Sequence, residues 1–220
     1  MSAADDFVIT RRRKKYKFAR FDEFSNCYHL DEWIAGAPPM PGKKLIVEIG
    51  AGSALFLVEL ARRYPDNFYI AIDIKGDRLY RGARAALEQG IANIVFVRSE
   101  IQHLGEIVPA HSVDEIWLTF SDPYPRKSDA RHRLSAPRYL ELYRQVLHRG
   151  VLHFKTDNQP LFDWSVEQFG ASGWKIGAMT RDLHGSDLPD EYKIMTSYEQ
   201  KFTEQGLPIF YLDATPKLNK

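Results

Sequence analysis

Three carboxylates stand just beyond or within the ends of three short apolar runs. Glu48 closes the run from Lys44 to Ile49, Asp73 lies near the end of Phe68 to Ile74, and Glu100 follows Ile94 to Val97. Between the first run and the helical pattern of Leu55 to Arg63 sits Gly50-Ala51-Gly52-Ser53-Ala54. A glycine turn at a helix N-terminus suits several nucleotides. Dinucleotide sites want a third glycine at the sixth position of the motif, where Leu55 stands here. No Gly-Lys-Ser/Thr follows, which excludes a P-loop. A pyrophosphate is repelled by so many carboxylates, whereas S-adenosylmethionine carries an ammonium, a sulfonium and no phosphate. An acid at Asp73 can accept both ribose hydroxyls, one at Glu100 the adenine amino group, and Glu48 can orient the methionine end.

A fourth carboxylate, Asp122, is pinned between Ser121 and Pro123 in the stretch Thr119 to Arg133. Pro123 and Pro125 bracket Tyr124, and Arg126, Lys127, Arg131, His132 and Arg133 follow. Proline fixes its own φ and pushes the residue before it out of the helical region. Asp122 and Tyr124 are therefore expected in stiff, extended backbone just past a strand. That is where open α/β sheets place ligands. The loop has the character of an acidic tip with a basic tail, suited to presenting a flat, polyanionic substrate.

These groups need a scaffold that brings strand ends together. Strand patterns run over 44–49, 68–74, 94–97, 113–120, 151–155, 174–179 and 209–212. Helical patterns over 55–63, 76–89, 137–148 and 160–169 separate most of them. Regular alternation of strand and helix predicts a mostly parallel, doubly wound α/β sheet with helices on both faces. Pro38, Pro39, Pro41 and Gly42 break the chain before the first of these strands. Residues 1–42 are accordingly expected as an arm, partly disordered, ahead of one domain over 43–220. The arm carries the basic block Arg11, Arg12, Arg13, Lys14, Lys15, Lys17 and Arg20, which suits RNA phosphates or plain solvation.

Composition narrows the class without naming it. The chain of 220 residues is 44% apolar and 27% charged with a formal net charge of +1, so any basic footprint must be local. Its single cysteine, Cys27, allows no internal disulfide and fits a reducing cytosol. No apolar run reaches membrane-spanning length, and the first residues do not have the form of a signal peptide. The histidines show no metal-ligand spacing, so no metal is expected. The expectation is a cytoplasmic protein, monomer or homodimer.

One combination of motifs goes further. Glu48-Ile49-Gly50-Ala51-Gly52, Phe120-Ser121-Asp122-Pro123-Tyr124-Pro125-Arg126, Arg131-His132-Arg133-Leu134, Thr156-Asp157 and Thr196-Ser197-Tyr198-Glu199 together resemble the tRNA guanine-N7 methyltransferases. The resemblance covers roughly Lys44 to Leu212. It implies a Rossmann-like class I methyltransferase fold of seven strands, one antiparallel near the C-terminus. It implies S-adenosylmethionine as cofactor, held by Glu48, Gly50, Gly52, Asp73, Glu100 and Asp122. Its substrate would be the variable-loop guanine of tRNA (guanine 46), with Asp122 as the catalytic residue. Arg126, Asp157, Thr196, Ser197, Tyr198 and Glu199 would bind the substrate, and Tyr124, Lys127, Arg131, His132 and Arg133 would contact RNA.

The chemistry agrees with that implication. Guanine offers N1–H and a 2-amino group side by side, which a carboxylate accepts and adenine cannot supply. N7 already bears an in-plane lone pair, so no general base is required. Six positions depart from the family pattern: Ala54 replaces a glycine, Glu100 an aspartate, Tyr124 a tryptophan, and Ser128, Asp129 and Ala130 thin the basic tail. The residues taken alone also admit a silent RNA-binding module on the same fold, or a methyltransferase with another RNA or small-molecule target.

Overall fold

In β3 (Phe68–Asp73) every residue is buried, and four of the five residues of β2 (Leu45–Ile49) are buried too. Strands buried on both faces need helices on both sides. The computed structural model, which describes residues 21–195 and 197–217, provides them. The remaining strands are β1 (Cys27–His29), β4 (Ile94–Arg98), β5 (Val113–Thr119), β6 (Leu147–Thr156), β7 (Trp174–Thr180) and β8 (Phe210–Pro216). They form one sheet of 8 strands in the order β1-β4-β3-β2-β5-β6-β8-β7. β8 runs antiparallel to both β6 and β7, and the other pairs are parallel.

The helices are α1 (Leu30–Gly36), α2 (Leu55–Arg63), α3 (Gly76–Glu88), α4 (Leu104–Ile107), α5 (Pro137–Val146), α6 (Gln159–Ala171) and α7 (Ser197–Glu204). Alternate strand residues feed two cores. Val47, Ile70, Ile72 and Leu118 pack with Trp33, Leu104, Leu140 and Phe162 on one face. Ile46, Tyr69, Ala71 and Phe96 pack with Leu57, Leu79 and Ala83 on the other. The chain leaves β2 in one direction through β3 and β4, then returns to the far side of β2 as β5. The switch point therefore lies between β2 and β5, and at their carboxyl ends stand Glu48 and Thr119.

All seven expected strands are present, with the antiparallel one where it was expected. The eighth, β1, falls inside the segment expected as an arm. Three residues are too few to show a period, and Cys27 becomes a strand residue only by pairing with Phe96. The adjoining α1 is tied down by Trp33, whose indole N–H donates to the Ile107 carbonyl at 2.8 Å. The basic block lies outside the described residues. The expected helix over 137–148 ends at Val146, because Leu147 already pairs with Val113 across a bulge. Gly150 allows this, since a Cβ there would collide with the Asp114 carbonyl. No helix among the described residues is long and apolar enough to cross a membrane.

Candidate active site

The strand ends around the switch point surround a cavity of about 290 Å³. Gly50, Asp73, Glu100, Asp122, Tyr124 and His132 lie on its wall, so six of the residues singled out from the sequence converge. Lys75, Arg78, Ser121 and the exposed Ile74 join them; Ser121 stands in the quoted motif without a role, and the other three were not singled out. Lys75 and Arg78 follow Asp73 on the strand-to-helix exit, a position that could have been scanned for groups facing a ligand.

The glycine loop owes its shape to left-handed backbone. Gly50, Gly52 and Ala54 have φ of 68°, 56° and 53°. The first two are the residue type that adopts this region without a Cβ penalty. Ala54 adopts it at the N-cap of α2, where it is 1% exposed and packed among Phe56, Leu57 and Ala83. Asp73 braces the loop from the next strand. Its Oδ2 accepts the Gly52 N–H at 2.9 Å and its Oδ1 accepts the Lys75 N–H at 2.7 Å. A carboxylate offers about four lone-pair sites, so capacity remains for two ligand hydroxyls.

Glu48, in β2 two residues before Gly50, does not line the cavity wall and is 1% exposed. Thr119 donates its hydroxyl to Glu48 Oε1 at 2.5 Å. The other oxygen, Oε2, is buried without a partner. Burial pushes the Glu48 carboxyl up to about 8, against the opposing pull of the Thr119 hydroxyl and the Lys155 charge. Ser121 Oγ, on the cavity wall, is likewise buried and unpartnered. Native buried polar atoms are nearly always bonded, and of the unpartnered ones, which include the indole nitrogens of Trp117 and Trp174, Ser121 Oγ is the one on the cavity wall, where a ligand can reach it. An acceptor beside a glycine turn, a doubly braced acid and a further acid at Glu100 fit S-adenosylmethionine, with its ammonium and hydroxyl donors.

The substrate loop corrects one expectation. Tyr124 is not extended: its φ is 43°, and Phe120 at the strand exit has φ 50°. Tertiary bonds override the local preference set by Pro125. Arg133 donates from Nε to the Pro123 carbonyl and from one terminal nitrogen to the Tyr124 carbonyl, both at 3.0 Å. Its guanidinium also stacks 4.5 Å from the Trp164 ring centre. A left-handed Tyr124 turns its carbonyl toward that clamp, at a strain of about 1–3 kcal/mol. Arg133, expected on RNA phosphates, therefore commits two of its five N–H donors to holding the loop. Tyr124 is 37% exposed, and its ring lies 5.7 Å from that of His132. Arg126, Lys127 and Arg131 are exposed outside the cavity, Lys127 and Arg131 on a short 3-10 helix over Lys127–His132.

Beyond β6 the expected residues part company. Asn158, not Asp157, caps α6, accepting the Leu161 N–H at 2.9 Å. Asp157 is thus left half-buried at a strand end, and burial raises its carboxyl. Glu199 is fully buried and does not line the cavity. It pairs with Lys155 at 3.0 Å and with His184 at 2.9 Å. Lys155 is 0% exposed, and sequence reasoning missed it because a lysine ending an apolar run looks like an ordinary solvent-facing strand end. Ser197 and Tyr198 begin α7, and Thr196 lies outside the described residues. Among the described residues no group of His, Cys, Asp or Glu is placed to hold a metal ion.

A sheet of this order with acids at the ends of β2, β3 and β4 defines a class I, S-adenosylmethionine-dependent methyltransferase. The crystal structure of the 16S rRNA methyltransferase KamB has the same fold, with a TM-score of 0.59 at 13% identity over 96% of this chain and 95% of that one. A family profile described as "Putative methyltransferase" matches residues 42–212. The tRNA (guanine-N(7)-)-methyltransferase of Cytophaga hutchinsonii is 41% identical over 172 residues, covering 76% of this chain and 78% of its own. That of Brevibacillus brevis is 38% identical over 170 residues, covering 77% and 79%. The chain belongs to the tRNA (guanine-N(7)-)-methyltransferase family.

Proposed function

We propose that the protein transfers the methyl group of S-adenosylmethionine to N7 of the variable-loop guanine of tRNA, in the cytoplasm. The observation that carries this reading is that Asp122 shares one cavity wall with Gly50, Asp73 and Glu100. A base brought against the loop is thereby brought against the cofactor. Glu48 and the glycine turn orient the methionine end, Asp73 takes the ribose hydroxyls, and Glu100 takes the adenine amino group.

The guanine N7 lone pair forms the new N–CH₃ bond as the S–CH₃ bond breaks and its electron pair returns to sulfur. Positive charge moves from sulfur to the base, and no proton need leave first. The protein's task is alignment, which is worth up to about 7–11 kcal/mol when two partners are held in near-attack geometry. The Asp122 carboxylate adds favourable charge beside a base that becomes cationic. Tyr124 offers its ring for stacking on an extruded guanine, for which about 1–3 kcal/mol is usual. Burial and the neighbouring Asp122 charge both raise the Tyr124 phenol, which keeps it neutral. Asp157 accepts the N1–H and 2-amino donors, and an adenine there leaves a carboxylate unsatisfied.

Incubation with methyl-labelled S-adenosylmethionine and bulk tRNA, followed by digestion to nucleosides, tests the reading. Label in N7-methylguanosine is the expected result. A folded sample that binds S-adenosylhomocysteine and labels no nucleoside would refute it.

A further inference from the structure

We infer that Lys155 is a positioning residue for the methyl transfer, holding the backbone at Tyr192 and Ile194 and the Glu199 carboxylate of α7 against the strand ends that carry the cavity. The inference rests on the methyltransferase reading above and adds to it a residue that does not touch either substrate.

Lys155 is 0% exposed, yet its ammonium has a partner for each of its three donors. It donates to the Tyr192 carbonyl at 2.9 Å, to the Ile194 carbonyl at 3.2 Å and to Glu199 Oε2 at 3.1 Å. Glu199 in turn accepts from His184, so a turn and the first residues of α7 are gathered on one buried charge. The Phe56 and Phe120 rings lie 5.1 and 5.9 Å from that ammonium and shield it from water.

The same residue grips the substrate loop through its backbone. Lys155 pairs in register with Thr119, and its carbonyl accepts the Phe120 N–H at 2.9 Å. Phe120 is the left-handed residue that turns the chain from β5 into Ser121 and Asp122. Thr119 holds Glu48 through its hydroxyl. Asp157 lies two residues on, just past the end of the same strand. Lys155 therefore touches both the exit of the Asp122 loop and Glu199 of α7. A buried ion pair gives weak net stability relative to an apolar replacement, and its best use is to fix one arrangement among several.

The test is Lys155→Met assayed beside wild type, whose own labelling of N7-methylguanosine establishes the underlying activity separately. The concentration of folded enzyme is set by the stoichiometry of S-adenosylhomocysteine binding. The expected result is a loss of at least ~30-fold in kcat/KM for tRNA per folded molecule. The dissociation constant for S-adenosylhomocysteine should stay within about threefold of wild type. Lys155→Arg, which keeps the charge, should recover part of the loss. A Lys155→Met protein with wild-type kcat and KM for tRNA would overturn the inference, whatever its melting temperature. If the Met variant does not fold, Lys155→Gln, which keeps an amide donor for the carbonyls, decides by the same two readouts. A silent wild type refutes the activity and not the contacts of Lys155.

Discussion

Thr119 donates its hydroxyl to one carboxylate oxygen of Glu48 at 2.5 Å, while the other oxygen of Glu48 is buried with no partner. The two residues flank the strand-order switch point, so the half-satisfied acid lies where the fold directs a ligand.

A proton should therefore move when the cofactor binds. Burial holds the Glu48 carboxyl near 8, so it is largely neutral at pH 7 in the free protein. A bound ammonium favours the ionised form and draws the value down. Calorimetric titration at pH 7 in buffers of different ionisation enthalpy should report net proton release, and Glu48→Gln should abolish most of it. Equal heats in all buffers would contradict this.

The same group makes stability depend on pH with a definite sign. Its folded value lies above the unfolded one of about 4.3, so the native state holds the proton more tightly. Its contribution to stability is full below the unfolded value and is lost as pH rises through about 8. Melting of the ligand-free protein between pH 5 and pH 9 should fall less steeply for Glu48→Gln than for wild type. A steeper fall in the variant would show the sign to be wrong.

Asp73 and Asp122 should separate binding from turnover. Asp73→Ala removes the acceptor of two backbone N–H groups as well as the ribose partner. Cofactor affinity should drop by at least ~30-fold, with a stability loss of about 1–3 kcal/mol from the unsatisfied loop. Asp122→Ala should leave S-adenosylhomocysteine affinity nearly unchanged and cut turnover about 10²- to 10³-fold, as loss of a preorganised electrostatic group does. Comparable losses of cofactor binding in both variants would remove the division of roles.

Arg133 and Arg131 should differ although they are near neighbours. Arg133 clamps the carbonyls of Pro123 and Tyr124, so Arg133→Ala should lower kcat at saturating tRNA and leave the salt dependence of tRNA binding almost intact. Arg133→Lys should not rescue, because an ammonium cannot reproduce the two-pronged contact. Arg131→Ala should flatten the slope of log affinity against log salt by about 1. A flattened slope for Arg133→Ala would return that residue to the phosphate backbone.

Much of this arrangement was legible in the chain, and the parts that were not have physical reasons. Long alternating runs specified seven strands, and a glycine turn followed by spaced acids specified the cavity, since both are local patterns. β1 was not legible because three residues form a strand only against Phe96. Tyr124 was misjudged because the preference set by Pro125 is weaker than two bonds from a guanidinium nine residues away. Asp122 and Tyr124 line the cavity together with His132, which its basic neighbours had pointed toward RNA phosphates, whereas Glu199 is held by Lys155 inside the protein. That pairing spans 44 positions of sequence and leaves no local trace.

The central claim is transfer to one base of tRNA. It is tested most directly by methylating a tRNA transcript and the same transcript with its variable-loop guanine changed to adenine, using labelled S-adenosylmethionine and mapping N7-methylguanosine by reduction and aniline cleavage. The account predicts cleavage at that guanine in the first transcript and no incorporation in the second. Equal incorporation into both, or none into either by protein that binds S-adenosylhomocysteine, would contradict it.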